Sequence, residues 1–380
     1  MFCSSIYARR FPINERSSLY LHAMNYIGRI DKLRLAMRHA KVDVLLVTHT
    51  PNVRYLCGFT GSSGGLLVTR DHMVLFTDGR YTQQAKSEVK NASVKVAKGT
   101  PWLAAISGLA GRGKILGFEA ERMPVATWRQ INSALPRGWK LRATSGILER
   151  LRMIKERAEI ELIRHAIKLG SHLFQSALTA IRPGTPESAV AAEIEYGARS
   201  AGAEKMSFET IVAGGKRSAL PHGVASAAAL PSRGFVLLDF GVILAGYCSD
   251  MTRTVHLGAP GKRSRHLYQT VLDAQLKAIE SVRPGIAASQ VDRAARTVLG
   301  KAGMGKFFTH SCGHGLGLEI HEPPRLGKRQ QELLQPGMVV TIEPGAYVPD
   351  EGGVRIEDVV VVTQHGCEVL TPTKKELIAL

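Results

Sequence analysis

A helix-ending signal and its surroundings occur twice at a fixed distance in this chain. Arg182-Pro183-Gly184 returns 101 residues later as Arg283-Pro284-Gly285, and at the same offset Ser188 matches Ser289, Val190 matches Val291, and Ala201-Gly202 matches Ala302-Gly303. Proline and glycine in that order stop a helix, and Thr185-Pro186 supplies an N-cap and first-turn proline for the next one. Each copy then runs through a His-Gly element, His222-Gly223 or His314-Gly315, into an apolar hairpin. Residues 155–375 are therefore expected to form two similar α+β halves. A cleft shared by two such halves is a natural place for a site.

Within the second copy, His310 to Glu322 holds three histidines, three glycines and two glutamates in thirteen residues. Histidine is the commonest metal ligand among side chains. His310 and His314 have helical spacing, but Gly313, Gly315 and Gly317 would each cost about 1 kcal/mol inside a helix. The segment reads as extended, with residues 310, 312 and 314 on one face and the glycines admitting a close backbone or ligand.

Acids complete the pattern. In residues 235–255 an apolar run leads into Asp239, and Asp250 follows the turn Leu244-Ala245-Gly246. A pivot between Leu244 and Ala245 would set the two aspartates directly opposite each other. Carboxylates so placed repel, and burial makes them costly unless a cation joins them. The second hairpin, residues 338–362, carries Glu343 and Glu357, with Arg355 on the strand face of Glu357. Four carboxylates and the His314 imidazole make an oxygen-rich set suited to two divalent ions. Mn²⁺ fits it best, with Co²⁺, Zn²⁺ or Fe²⁺ as alternatives.

The order Asp239, Asp250, His314, Glu343, Glu357 resembles the dinuclear metallopeptidases of the pita-bread fold, the Xaa-Pro aminopeptidases and prolidases. Asn52-Val53-Arg54-Tyr55-Leu56-Cys57-Gly58-Phe59-Thr60-Gly61 and Phe76-Thr77-Asp78-Gly79-Arg80-Tyr81 resemble that family's creatinase-like N-terminal domain. The resemblance implies an α/β N-terminal domain over residues 26–148 and an α+β pita-bread catalytic domain over 155–375. It further implies that Asp239 and Asp250 hold metal, that Asp250 and Glu357 bridge two ions, and that His314 and Glu343 complete one ion's shell. The ions would acidify a bridging water and polarise the scissile carbonyl. Glu343 would accept the proton and His222 would shuttle protons. His310 and His321 would line the pocket and steady the tetrahedral intermediate, and Arg355 would orient the acids. A homodimer is also implied.

Composition narrows the remaining classes. The formal charge of +18 invites a nucleic-acid reading, but residues 1–150 hold 23 Lys+Arg against 9 Asp+Glu and the rest only 27 against 23. The excess thus lies away from the histidines. With 6% aromatic residues there is no basic-aromatic strip for base stacking, so a solvated basic face and no nucleic-acid partner are expected. No apolar run reaches the roughly 18 residues of a membrane span. Five scattered cysteines without a Cys-x-x-Cys pair point to a reducing, cytoplasmic setting. Residues 1–25 lack the apolar core of a secretory signal and are read as a disordered extension.

The substrate expected is a peptide with proline second. Proline removes an N–H and fixes φ, so a protease that binds extended strands needs a dedicated pocket for it. Hydrolysis of the Xaa-Pro bond at a peptide's N-terminus, by an aminopeptidase, is preferred, and an Xaa-Pro dipeptidase is the alternative. A dipeptidase must read a free carboxylate with a cation; Arg54 and Arg80 are basic candidates, but no recognisable insertion closes the site. Two further classes fit worse. A thiol hydrolase using Cys312 and His310 leaves the five-ligand set unexplained, and a noncatalytic peptide-binding member of the fold should have lost ligands.

Overall fold

The computed structural model describes residues 19–111 and 113–380. They form two compact units, Asn25–Arg152 and Met153–Leu380, with residues 19–24 belonging to the second. Of the expected disordered extension, residues 1–18 lie outside the described residues. Residues 19–22, by contrast, are helical and Met24 is buried, and the Tyr20 ring meets His165 edge-on at 5.4 Å. No helix among the described residues is long and apolar enough to cross a membrane.

The first unit is built on six strands, β1 (Val44–Val47), β2 (Gly64–Val68), β3 (Met73–Asp78), β4 (Ser93–Ala97), β5 (Ile115–Glu119) and β6 (Lys140–Thr144), in the order β4-β3-β2-β1-β5-β6. The all-apolar strand β1 is central and buried along its whole length. It pairs parallel with β5 and antiparallel with β2. A helix over Thr50–Cys57, which periodicity alone does not reveal, carries Pro51 in its first turn and stops at Gly58, whose φ of 79° is left-handed.

The second unit bears out the two halves. Helix α1 (Arg157–Ala177) opens with a capping box between Glu156 and Glu159. Helices α2 (Glu187–Ser200) and α3 (Ala288–Lys301) are the same length and begin 101 residues apart. The glycine before each has φ 84°. Their entries are bonded alike: Gly184 N–H donates to Leu230 O and Ser188 N–H to Ser226 O, as Gly285 N–H does to Leu334 O and Ser289 N–H to Gln330 O. Each half closes its own apolar core, one around Leu169, Val236 and Leu238 and the other around Val291, Val340 and Val360. Each fully buried side chain of that kind contributes about 1.5–3 kcal/mol.

The hairpin of the first half differs in register from the expectation. Gly234–Phe240 and Met251–Leu257 pair so that Asp239 faces Thr252, not Asp250. The pairing continues to Leu244 opposite Tyr247, leaving a two-residue loop with positive φ at both Ala245 (49°) and Gly246 (85°). That is the turn whose twist matches a hairpin, and it moves the pivot one residue along. Asp250 falls opposite Gly241, where an added Cβ would lie 1.8 Å from Ser249 O. In the second half, Val339–Ile342 pairs with Asp358–Val362 and Gly345–Val348 with Gly352–Arg355 in one continuous register. That register places Glu343 across from Glu357.

The histidine stretch is only partly a strand, Gly313–Gly315, and its glycines admit close backbone as expected. A Cβ on Gly313 would lie 2.0 Å from Thr341 O, and one on Gly315 would lie 2.4 Å from Pro323 O. Residues 310, 312 and 314 do not share one face, because the chain is irregular before Gly313. Cys312 turns into the second half's core while His310 and His314 face a cavity. Gly313→Ala should therefore destabilise the protein by about 1–3 kcal/mol, the usual cost of overpacking, seen as a lower Tm. Gly79→Ala, which meets nothing within 4 Å, should leave Tm unchanged.

Candidate metal centre

The two hairpins and the histidine stretch line one cavity of about 800 Å³, and all nine residues singled out from the sequence reach it: His222, Asp239, Asp250, His310, His314, His321, Glu343, Arg355 and Glu357. Three of them converge fully among the described residues, with one ligand atom each of Asp250, His314 and Glu357 within 4.8 Å of one another. His314 Nε2 lies 3.6 Å from Asp250 Oδ2 and 3.4 Å from Glu343 Oε1. Its Nδ1 is 3.0 Å from the Gly315 carbonyl, which requires the proton on Nδ1 and leaves the Nε2 lone pair aimed at the acids. Burial lowers the pKa of His314, so the ring stays neutral, as a ligand must be.

The acids are held from behind by hydroxyls and one arginine. Thr252 Oγ1 donates to Glu357 Oε2 at 2.7 Å, and Thr341 Oγ1 lies 3.2 Å from Glu343 Oε1. Arg355, buried, donates through Nη2 to Asp239 Oδ2 at 2.5 Å, through Nη1 to Tyr347 OH at 2.5 Å and to the Pro221 carbonyl at 3.1 Å, and through Nε to Thr252 Oγ1 at 3.1 Å. Tyr347 passes the chain on: its hydroxyl lies 2.8 Å from His310 Nε2, while His310 Nδ1 faces the Ser311 carbonyl at 2.8 Å. Thr252 and Tyr347 were not read from the sequence. Thr252 stands two residues from Asp250 on the same strand face, a signal that was available; Tyr347 gives none.

Burial and mutual repulsion set the electrostatics. Burial first, then Glu357, Asp239 and Glu343, push the Asp250 carboxyl well above its usual range. Burial first, then Glu343 and Asp239, do the same to Glu357. Burial raises Glu343 to about 7 despite the pull of Arg355. Asp239 Oδ1 and Glu357 Oε1 are buried with no hydrogen-bond donor. Anionic oxygens in that position require a cation, and the set of carboxylates with one neutral imidazole fits hard or borderline divalent ions. Cys312, by contrast, is fully buried and its thiol pKa is driven up by burial and by Asp292. It lies outside the cavity lining, so Cys312 offers the cavity no thiol nucleophile.

With this geometry in hand, comparison with known proteins is direct. Residues 161–364 match the model of metallopeptidase family M24, and residues 29–154 match the creatinase/prolidase N-terminal domain. The chain belongs to metallopeptidase family M24. Its fold is the pita-bread fold of that family. A solved Xaa-Pro dipeptidase from Bacillus anthracis superposes with a TM-score of 0.90 at 39% identity, covering 94% of this chain and all of that one. An Xaa-Pro dipeptidase of Pyrococcus horikoshii is 37% identical over 92% of this chain and 98% of its own length. An X-Pro aminopeptidase from Thermotoga maritima superposes with a TM-score of 0.84 at 35% identity, covering 91% and 99%.

Two outcomes test the centre of this M24 metallopeptidase. Asp250→Ala should abolish divalent-metal retention, measured by elemental analysis, while His222→Ala retains it. The second is a pH dependence of the chelator-treated protein. Glu343 titrates higher folded, at about 7, than its ordinary 4.5, so its contribution to stability is present below 4.5 and is lost as pH rises through 7. Glu343→Gln should therefore gain in Tm relative to the parent across that window, and a flat difference would contradict the raised pKa.

Proposed function

We propose that this metallopeptidase is an Xaa-Pro dipeptidase, hydrolysing the bond between a first residue and a C-terminal proline with two divalent ions bound, Mn²⁺ foremost. The observation that carries the reading is Arg325. Two arginines line the cavity. Arg355 is spent on Asp239, Tyr347, Thr252 and Pro221. Arg325 is exposed, sits across the strand pair from His314, and is held through Nε by Ser311 Oγ at 2.9 Å. A guanidinium with its remaining N–H groups at the cavity is the cation a free carboxylate needs. The sequence reading preferred an aminopeptidase because no recognisable insertion closes the site, with Arg54 and Arg80 among the basic candidates for a carboxylate clamp; relatives named as Xaa-Pro dipeptidases support the change. The aminopeptidase remains the second reading, supported by the Thermotoga maritima structure.

Asp239, Asp250, His314, Glu343 and Glu357 would hold the ions, which supply Lewis acidity toward the carbonyl and the attacking water. The chain's own groups do the rest. Glu343 takes the proton of the attacking water. His222, at the rim of the cavity, relays a proton toward the leaving proline nitrogen. His321, whose ring lies 4.4 Å from that of His314, has its pKa lowered to about 4, chiefly by desolvation; it lines the path of the carbonyl oxygen. His310 is likewise held near 4 by burial and Arg355 and is steadied by Tyr347. Ile211, Val224 and Ile320 give the cavity apolar wall for the substrate's side chains.

The test compares metal-loaded enzyme on an Xaa-Pro dipeptide, on Xaa-Pro-Yaa and on Xaa-Ala. Only the first should turn over well. Arg325→Met should raise KM for the dipeptide about tenfold or more, matching a lost charge-assisted bond of about 1.5–3 kcal/mol. Preference for the longer peptide would install the aminopeptidase reading, and equal cleavage of Xaa-Ala would remove both.

A further inference from the structure

His222 stands on the loop between residues 214 and 226, and that loop is gathered onto one buried carboxylate outside the lining of the cavity. Glu187, at the first turn of α2, is 1% exposed. Its Oε1 accepts from Gly214 N–H at 2.9 Å and its Oε2 from Ser226 N–H at 3.1 Å and Ser226 Oγ at 2.6 Å. Arg217 Nε bonds both oxygens, at 3.1 and 3.0 Å, and Arg217 Nη2 reaches on to the Val224 carbonyl at 2.9 Å. Both ends and the middle of the loop thus meet at one charge. Between these anchors the backbone turns tightly, with Gly223 N–H on Leu220 O and Val224 N–H on His222 O, and presents His222 to the cavity.

The second half of the molecule shows that the fold itself does not require this acid. The equivalent of Glu187 at the 101-residue offset is Ala288, and the helix there enters with the same backbone bonding, Ala288 N–H to Glu332 O matching Glu187 N–H to Ala228 O. The second half instead uses Asp292 of α3. Asp292 accepts from Arg296 and from Cys312 N–H at 3.1 Å, while Arg296 also bonds the carbonyls of Phe308 and His310. In each half, then, a buried acid on the equivalent helix, clasped by an arginine, fixes the segment that bears a cavity histidine.

We propose that Glu187 is the positioning residue of His222, acting through the loop it clasps and not on the metal site. The link to catalysis rests on the peptidase reading above. Ser218 Oγ, which accepts from Gly353 N–H at 2.8 Å, and Arg355, which bonds the Pro221 carbonyl, tie the same loop to the second hairpin. Loss of Glu187 therefore loosens the presentation of His222 without freeing the loop altogether. A misplacement of about 1 Å of a catalytic group costs on the order of 100-fold in rate.

The experiment uses the full-length metal-loaded enzyme with Glu187→Gln, His222→Ala and the double variant, assayed on an Xaa-Pro dipeptide. Glu187→Gln should lower kcat about 10- to 100-fold, with KM and metal content held within about twofold, and the double variant should be no slower than His222→Ala alone. Unchanged kcat, or losses that multiply in the double variant, would overturn the proposal. Should Glu187→Gln not fold, Arg217→Met, at a side chain 36% exposed, should give a smaller kcat loss with the same non-additivity; multiplying losses there overturn it equally. Amide hydrogen exchange separates this inference from the peptidase reading. Residues 214–226 should exchange faster in either variant while 313–315 stay protected, whether or not the parent cleaves Xaa-Pro; unaltered exchange in the loop removes the clasp.

Discussion

The cost of burying four carboxylates side by side governs the second unit. At an effective dielectric near 20, two like charges 4 Å apart repel by about 4 kcal/mol, comparable with a good part of a domain's net stability. The chain meets this cost in two ways. It raises the carboxyl pKa values of Asp250 and Glu357, through burial first and then through neighbouring acids, Glu357, Asp239 and Glu343 for Asp250 and Glu343 and Asp239 for Glu357, and it turns Asp239 onto Arg355. Neither satisfies Asp239 Oδ1 or Glu357 Oε1, and that residual demand makes the cavity a cation site. The rigid double hairpin, with apolar residues filling each core, holds the acids together against their repulsion.

Much of this was legible beforehand because the signals are local or repeated. The offset between Arg182-Pro183-Gly184 and Arg283-Pro284-Gly285 exposed the two halves, and acids among apolar strand residues marked the ligands. What the sequence withheld is what depends on the third dimension. The register of the first hairpin turned on whether the loop has one pivot or the next, a matter of backbone twist at Ala245 and Gly246 that composition does not reveal. Cys312 was placed with the histidines by alternation, but alternation presumes a strand, and the strand begins one residue later. Arg325, Tyr347 and Glu187 lie 11, 33 and 127 positions from His314 in sequence, and their partners are joined to them only by the fold.

The hydrogen-bonded support of the cavity is shared out with an evident logic. Hydroxyl donors serve two of the acids, Thr252 for Glu357 and Thr341 for Glu343; they orient a carboxylate without bringing a positive charge that would compete with an ion. Arg355 pairs with Asp239, and its hydrogen bond to Tyr347 continues from that hydroxyl to His310. A second buried arginine, Arg253 of the first hairpin, serves Asp358, next to Glu357. It bonds Asp358 Oδ1 at 2.7 Å and the carbonyls of Thr252 and Thr373, while Lys375 pairs with the other oxygen of Asp358.

That the ligands come from both halves has a consequence for the unfolded chain. Asp250 belongs to the first hairpin and Glu357 to the second, with roughly a hundred residues between them. An ion gripping both works as a removable cross-link, and closing a loop of about that length in an unfolded chain costs several kcal/mol of entropy in the chain-entropy picture, as for a disulfide. Because each half has its own core, the same ion would also add a staple to the seam that Arg355–Asp239, Thr252–Glu357 and Ser218–Gly353 already cross. Its release would loosen the seam between the halves before it loosened either core, leaving that seam to its hydrogen bonds and the Arg355–Asp239 pair.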